Sequence, residues 1–206
     1  MREHSPITIV NVGYLSTNYW VVSTGRSRLL VDLGYPGTMG TMRARLTQMD
    51  IPLKEIRYAL ATHYHIDHAG LAQELKMAGV QLLVVDVQLA AIPLMKRFTK
   101  PQDHYVDISL DGNVVISASE SRALLEGIGI PGEILPTPGH SDDSLSLLLD
   151  DGSVFTGDLT PLEHAWGEAE ELVKSSWQLL KEKGARRVYP AHGPVRSIPS
   201  ISGLED

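Results

Sequence analysis

His63, His65, Asp67 and His68 crowd into Thr62-His63-Tyr64-His65-Ile66-Asp67-His68, and three more metal-type side chains follow: His140 in Thr137-Pro138-Gly139-His140, Asp158 in Thr156-Gly157-Asp158, and His192 in Pro190-Ala191-His192-Gly193. Five of the eight histidines are spent on these four segments. A His-x-His-x-Asp-His run arises by chance in about one in a thousand chains of this composition, so the set is read as a unit rather than as separate structural histidines. Imidazole and carboxylate suit Zn²⁺, and also Fe and Mn. The chain has no cysteine, which excludes thiolate metal sites and disulfides.

Alternate residues of an extended segment point the same way. His63 and His65 can therefore grip one ion, while Asp67 and His68, after the chain turns, serve a second. Each ion needs about three protein ligands and an open position for water. The expectation is two divalent ions, zinc before iron or manganese: His63, His65 and His140 on one, Asp67, His68 and His192 on the other, and Asp158 bridging. Ions about 3.5–4 Å apart can share a water, lower its pKa toward 7 and polarise an electrophile. Two such ions, two aspartates and a bridging hydroxide leave roughly one positive charge, enough to draw anionic groups into an acidic protein. The reagent expected is that metal-bridging hydroxide; no Gly-x-Ser-x-Gly elbow is present. Asp67 is the candidate catalytic residue, holding the hydroxide or carrying its proton to a leaving group. His164, six residues beyond Asp158, is a candidate pocket-lining side chain.

The elements that must position these groups read as strands followed closely by metal-type residues. Ile7 to Val12, Asn18 to Ser23 and Arg28 to Leu33 are short and β-rich, and Thr24-Gly25-Arg26-Ser27 predicts a hairpin. Met39, Met42, Leu46 and Met49 recur at helical spacing and predict a core-facing stripe. Arg57 to Thr62 is a buried-type strand running into His63; Leu71, Leu75 and Ala78 mark a helix, and Gln81 to Val85 another strand. Pro93 interrupts the pattern between Asp86 and Pro101. Ser117 to Glu120 reads as a capping box opening a helix that Gly127 closes. Strands lead into His140, flank the turn Asp150-Asp151-Gly152, and end at His192, and a helix over about 168–183 puts Ala169, Val173, Trp177 and Leu180 on one face. Gly127-Ile128-Gly129-Ile130-Pro131-Gly132 matches a dinucleotide-binding pattern but runs from helix to strand, so it is read as a loop. Ligands at strand ends converge on one edge of a sheet, in an α/β layered fold.

The 206 residues are 43% hydrophobic and 21% charged, an ordinary globular composition that fits one domain over 1–206. A net charge of −7 disfavours nucleic acid. The N-terminus has no secretory apolar core, and no run approaches the roughly 20 apolar residues that span a bilayer. The expectations are a cytoplasmic protein, a small-molecule substrate, and no nucleic-acid or membrane partner; the oligomeric state is left open.

The four segments resemble the metallo-β-lactamase superfamily, in the binuclear branch that includes glyoxalase II and metal-dependent lactonases, over roughly Ile7 to Val195. The resemblance implies a four-layer αββα sandwich, two mixed β-sheets flanked by helices, with a dinuclear site at one edge. It implies that Asp32 supports the histidine loop from behind, and that the turn holding Tyr14 covers the site, which makes Tyr14 a candidate substrate contact. Only residues 193–206 follow His192, so the glutathione-binding helical domain of glyoxalase II is not expected. The resulting expectation is hydrolysis of a small ester, lactone or thioester, with β-lactam hydrolysis as a minor activity. The alternative is a mononuclear iron persulfide dioxygenase-like oxidoreductase, which would use the first set plus Asp158.

Overall fold

The computed structural model describes residues 6–25 and 27–199; His4 and Arg26 lie outside the described residues. The first sheet contains β1 (Thr8–Asn11), β2 (Trp20–Ser23), β3 (Arg28–Val31), β4 (Ile56–Leu60), β5 (Gln81–Val85) and β6 (Val114–Ile116), side by side in that order. β1, β2 and β3 pair antiparallel; β3 to β6 run parallel. The second sheet is ordered β11 (Arg196–Ser197), β10 (Arg187–Pro190), β9 (Ser153–Gly157), β8 (Leu145–Leu149) and β7 (Gly132–Pro136). In it only β9 and β10 run parallel.

The apolar strands have no polar face because both faces are covered, and their period of two divides each strand between two cores. Val21, Leu30, Ala59, Leu82 and Val84 point outward, onto Met42 and Leu46 of α1 (Met39–Gln48) and Leu75 of α3 (Ala72–Met77). Their neighbours Trp20, Val22, Leu29, Val31, Tyr58, Leu60, Leu83 and Val85 point inward, onto Ile134, Leu145, Leu147, Leu149 and Phe155 of the second sheet. Leu148, Val154 and Val188 face out again, onto Val173, Trp177 and Leu180 of α5 (Glu170–Glu182). The result is helix, sheet, sheet, helix: the expected αββα sandwich.

Several elements depart from expectation. The methionine stripe is shorter than its spacing implies. α1 stops at Gln48 and Asp50 turns the chain at φ +54°, leaving Met49 42% exposed. The expected helix after the motif is α3, with Leu71 and Ala78 capping its ends, and a separate helical turn within the motif, α2 (Ile66–Ala69), carries Asp67 and His68. The segment around Pro93 forms only 3-10 turns, Asp86–Gln88, Ile92–Phe98 and Pro101–Asp103. Ala169 is exposed ahead of α5, and Ser176 takes a buried place instead. The capping box holds: Glu120 accepts from the Ser117 N–H at 2.8 Å ahead of α4 (Ser121–Gly127). The glycine-rich stretch joins α4 to β7, with no strand before it.

Trp177 anchors the outer helix. Its ring is fully buried, and its indole N–H donates to the Thr160 carbonyl at 2.8 Å, two residues beyond Asp158. Trp177→Ala should lower the unfolding free energy by about 3–5 kcal/mol, seen as a lower urea midpoint at an unchanged slope. A loss under about 1 kcal/mol would contradict the layer assignment.

Candidate metal centre

β4 ends at Leu60 because Thr62 is captured by a carboxylate. Asp32, 1% exposed, follows β3 in a left-handed conformation, φ +59°, that aspartate tolerates better than most residues. Its Oδ1 accepts from both the Thr62 N–H and the Thr62 hydroxyl at 2.8 Å, and its Oδ2 stands 3.1 Å from His68 Nδ1. The second sheet closes in because residue 157 is glycine. At φ +54°, any added Cβ would collide with the Thr62 side chain, and the close approach sets Asp158 beside the histidines. Before His140, Gly139 (φ +139°) packs so tightly on α5 that an added Cβ would stand 2.6 Å from Val173 Cγ2.

All seven side chains meet. His65 Nδ1 lies 3.0 Å from both His63 Nε2 and His140 Nε2. His68 Nε2 lies 3.4 Å from Asp67 Oδ2 and 3.3 Å from Asp158 Oδ2. His192 Nε2 lies 3.2 Å from Asp67 Oδ2 and 3.4 Å from Asp158 Oδ1, while Asp158 Oδ2 is 3.7 Å from His140 Nε2. Asp158 thus presents one oxygen toward His68 and His140 and the other toward His192. His63 and His68 are buried and form a floor; the His140 and His192 side chains, 29% and 41% exposed, form the rim.

Among the described residues, three groupings hold ligand atoms within 4.8 Å of one another: His63, His65 and His140; Asp67, His68 and His192; and His63, His68 and Asp158. The first two are the sets expected from sequence. The donor chemistry fits cations. His65 Nδ1 faces two other ring nitrogens, an arrangement that a single ring proton cannot satisfy. Both His68 nitrogens and Asp158 Oδ1 are buried without a hydrogen-bond partner of proper geometry.

The partners assign which nitrogen is bare. A carbonyl only accepts, so His192 Nδ1–H donates to the Ser16 carbonyl at 2.7 Å, leaving Nε2 toward Asp67 and Asp158. The Thr62 hydroxyl spends its proton on Asp32, so its oxygen accepts from His63 Nδ1–H at 3.2 Å, leaving Nε2 toward His65. Burial, reinforced by the surrounding histidines, holds the His63 pKa well below its ordinary value. Burial also opposes a charged His68, but the charge of Asp32 and the Asp158 and Asp67 contacts outweigh it, raising His68 well above its ordinary value. Burial alone would raise Asp67 and Asp158 too; contact with His68, and its charge, override this and keep both carboxyls below the usual range.

The structure does not bring Tyr14 or His164 into this set. The Tyr14 hydroxyl bonds Thr38 Oγ1 at 2.6 Å, and its ring lies 4.9 Å from that of Tyr19, which braces its turn. His164 lies exposed on the 3-10 turn Leu162–His164. Sequence reasoning missed Thr17, whose hydroxyl donates to Asp67 Oδ2 at 3.3 Å, and the Ser16 carbonyl.

His68, whose pKa Asp32, Asp158 and Asp67 raise, must give up a ring proton to ligate a cation through Nε2. Loading with Zn²⁺ at pH 7 should therefore release a proton. Calorimetry in buffers of different ionisation enthalpy checks this: heats that do not change with buffer would contradict it. Asp158→Ala should lower the bound-metal content, measured by elemental analysis.

Residues 12–192 match the family model of the metallo-beta-lactamase superfamily. The chain is 33% identical over 193 residues to Lactamase-like protein nscB of Trichophyton rubrum, covering 89% of this chain and 51% of that one. It is 31% identical over 185 residues to Beta-lactamase-like protein 2 homolog of Caenorhabditis elegans, covering 87% and 56%. The chain thus spans about half the length of the curated relatives it matches. Among solved structures, TTHA1623 in a di-iron-bound form shares the fold with a TM-score of 0.70 at 22% identity, over 93% of this chain and 94% of that one. With the family model spanning all four ligand-bearing segments, the chain belongs to the metallo-β-lactamase superfamily, whose members are mostly metal-dependent hydrolases.

Proposed function

We propose that this protein is a dinuclear metallohydrolase acting on a small ester, lactone or thioester. One observation carries the reading: two sets of metal-type atoms adjoin, and Asp158 turns Oδ2 toward His140 of the first, at 3.7 Å, and Oδ1 toward His192 of the second, at 3.4 Å. His63, His65 and His140 would hold one ion, Asp67, His68 and His192 the other, zinc before iron or manganese. When bound, the pair would supply a bridging hydroxide at neutral pH and polarise the carbonyl of the substrate.

The chain's own residues do the rest. Asp32 and the Ser16 carbonyl hold imidazoles with their bare nitrogens inward. Asp67, kept ionised by His68 and His192 and with Oδ2 steadied by Thr17, would hold the hydroxide or carry its proton to the leaving alkoxide or thiolate. The buried floor of His63 and His68 excludes water from one side, and substrate enters over the rim of His140 and His192. Water adds across the acyl bond, giving a carboxylate and an alcohol or thiol, and a weakly populated side activity on β-lactams would use the same attack. The lactamase-like names of the relatives support including β-lactams among the substrates tested.

A panel of lactones, thioesters, esters and a β-lactam, assayed before and after chelation and on adding back Zn²⁺, Mn²⁺ or Fe²⁺, tests the proposal. Chelation should abolish turnover and metal restore it; turnover that survives chelation rejects it. One iron per chain with oxygen uptake on a persulfide would replace it with the mononuclear oxidoreductase. His164→Ala should alter the preference among panel substrates if that side chain reaches the pocket, and unchanged kinetics would remove it from the site.

A further inference from the structure

The first ligand set is split between the two sheets. His63 and His65 leave the end of β4, whereas His140 comes from the connection between β7 and β8. Metal sites tolerate ligand misplacement of only about 0.5 Å, so something must fix the gap. Resting on the dinuclear reading above, we propose that Asp143 is the positioning residue that fixes it for the His63, His65 and His140 set.

Asp143 is 8% exposed and belongs to none of the three metal-type groupings. Its Oδ2 accepts from the N–H of Tyr64, the residue between His63 and His65, at 2.7 Å. Its Oδ1 accepts from the hydroxyl of Ser141, the residue after His140, at 2.8 Å. One carboxylate thus holds the backbone beside two ligands and the side chain beside the third. Its own carbonyl accepts from Gln88 Nε2 at 3.3 Å, and the same amide donates to the Ala61 carbonyl at 3.0 Å, just ahead of His63. The Leu145 N–H donates to the Thr62 carbonyl at 2.8 Å, closing the same seam. An ionised acceptor makes shorter and stronger bonds than a neutral one. A buried charge is tolerated only when so bonded, which fits the use of both oxygens. Asp32 ties ligands within one sheet; Asp143 ties ligands across two.

The test uses the full chain, with Asp143→Ala and Asp143→Asn, and with His140→Ala and His192→Ala marking the two ions. Metal-stripped protein is titrated with Zn²⁺ against a chromophoric chelator, Co²⁺ absorption reports which set fills, and melting is followed without metal. Asp143→Ala should weaken the ion that His140→Ala removes by about 10–100-fold, leaving the ion that His192→Ala removes within about 3-fold. Asparagine keeps an acceptor for the Tyr64 N–H, so its loss should be selective but smaller. If the alanine variant does not fold, the asparagine variant decides: no selective loss overturns the inference. Unchanged affinities, or equal weakening of both ions alongside a lower melting temperature, also overturn it, since a merely structural residue would behave so. Parent protein that takes one ion, weakened in the Asp143 variants, would reject the dinuclear reading and uphold Asp143. Parent protein that takes neither Zn²⁺ nor Co²⁺ would overturn both.

Discussion

Everything at the metal centre depends on the buried carboxylate of Asp32. It sits in a left-handed backbone conformation, a strain of roughly 1–3 kcal/mol for a residue with a side chain, and it removes a charge from water. Both costs are offset by three fixed contacts: two donors from Thr62 and the rear nitrogen of His68. The consequences run into both ligand sets. Through the Thr62 hydroxyl, Asp32 decides which nitrogen of His63 carries the proton, and through its other oxygen it decides how His68 is charged. Without that carboxylate, the Thr62 hydroxyl is free to rotate, and His63 and His68 lose their orientation together.

The sandwich delivers the remaining ligands to Asp32. Leucine and valine runs bury both faces of the central strands, so the two sheets cannot slide without exposing one core or the other. The strand ends that carry His63, His140, Asp158 and His192 are therefore fixed relative to each other by packing far from the metal centre. At the seam the packing becomes atomic. Gly157 has no side chain because Thr62 occupies that space, and Gly139 has none because Val173 does. α5 backs both positions, through Val173 behind Gly139 and through Trp177 on the segment after Asp158. The outer helix is thereby part of the reason the ligands meet.

The sequence made the donors legible because metal binding restricts residue type: imidazole and carboxylate at short spacing have few other uses. The strands were legible as apolar runs. Their division between cores was not, since a strand buried on both faces shows no alternation of polar and apolar residues. Met49 and Ala169 satisfied the helical period, but each lay where the helix had already ended or not yet begun, and end residues are the least specified by periodicity. β6 and β11, three and two residues long, are too short to leave a pattern. The Ser16 carbonyl was invisible because any residue supplies one. Thr17 lies 50 positions from Asp67, beyond any spacing argument. Asp32 was reached through resemblance; spacing alone would have left it a turn residue.

The charge of the buried imidazoles is set by what surrounds them. In a low-dielectric floor, several charged rings would repel, and burial keeps His63 neutral. His68 is pushed the other way, well above its ordinary value, because the charge of Asp32 and contacts with Asp158 and Asp67 favour its protonated ring. Unpaired, the buried Asp32 carboxylate would cost several kcal/mol; its contacts with Thr62 and His68 offset that cost. The same arrangement makes the carboxylates ready ligands. Asp67 and Asp158, held below the usual carboxyl range, already face His68 and His192, so a cation entering there would meet ionised oxygens.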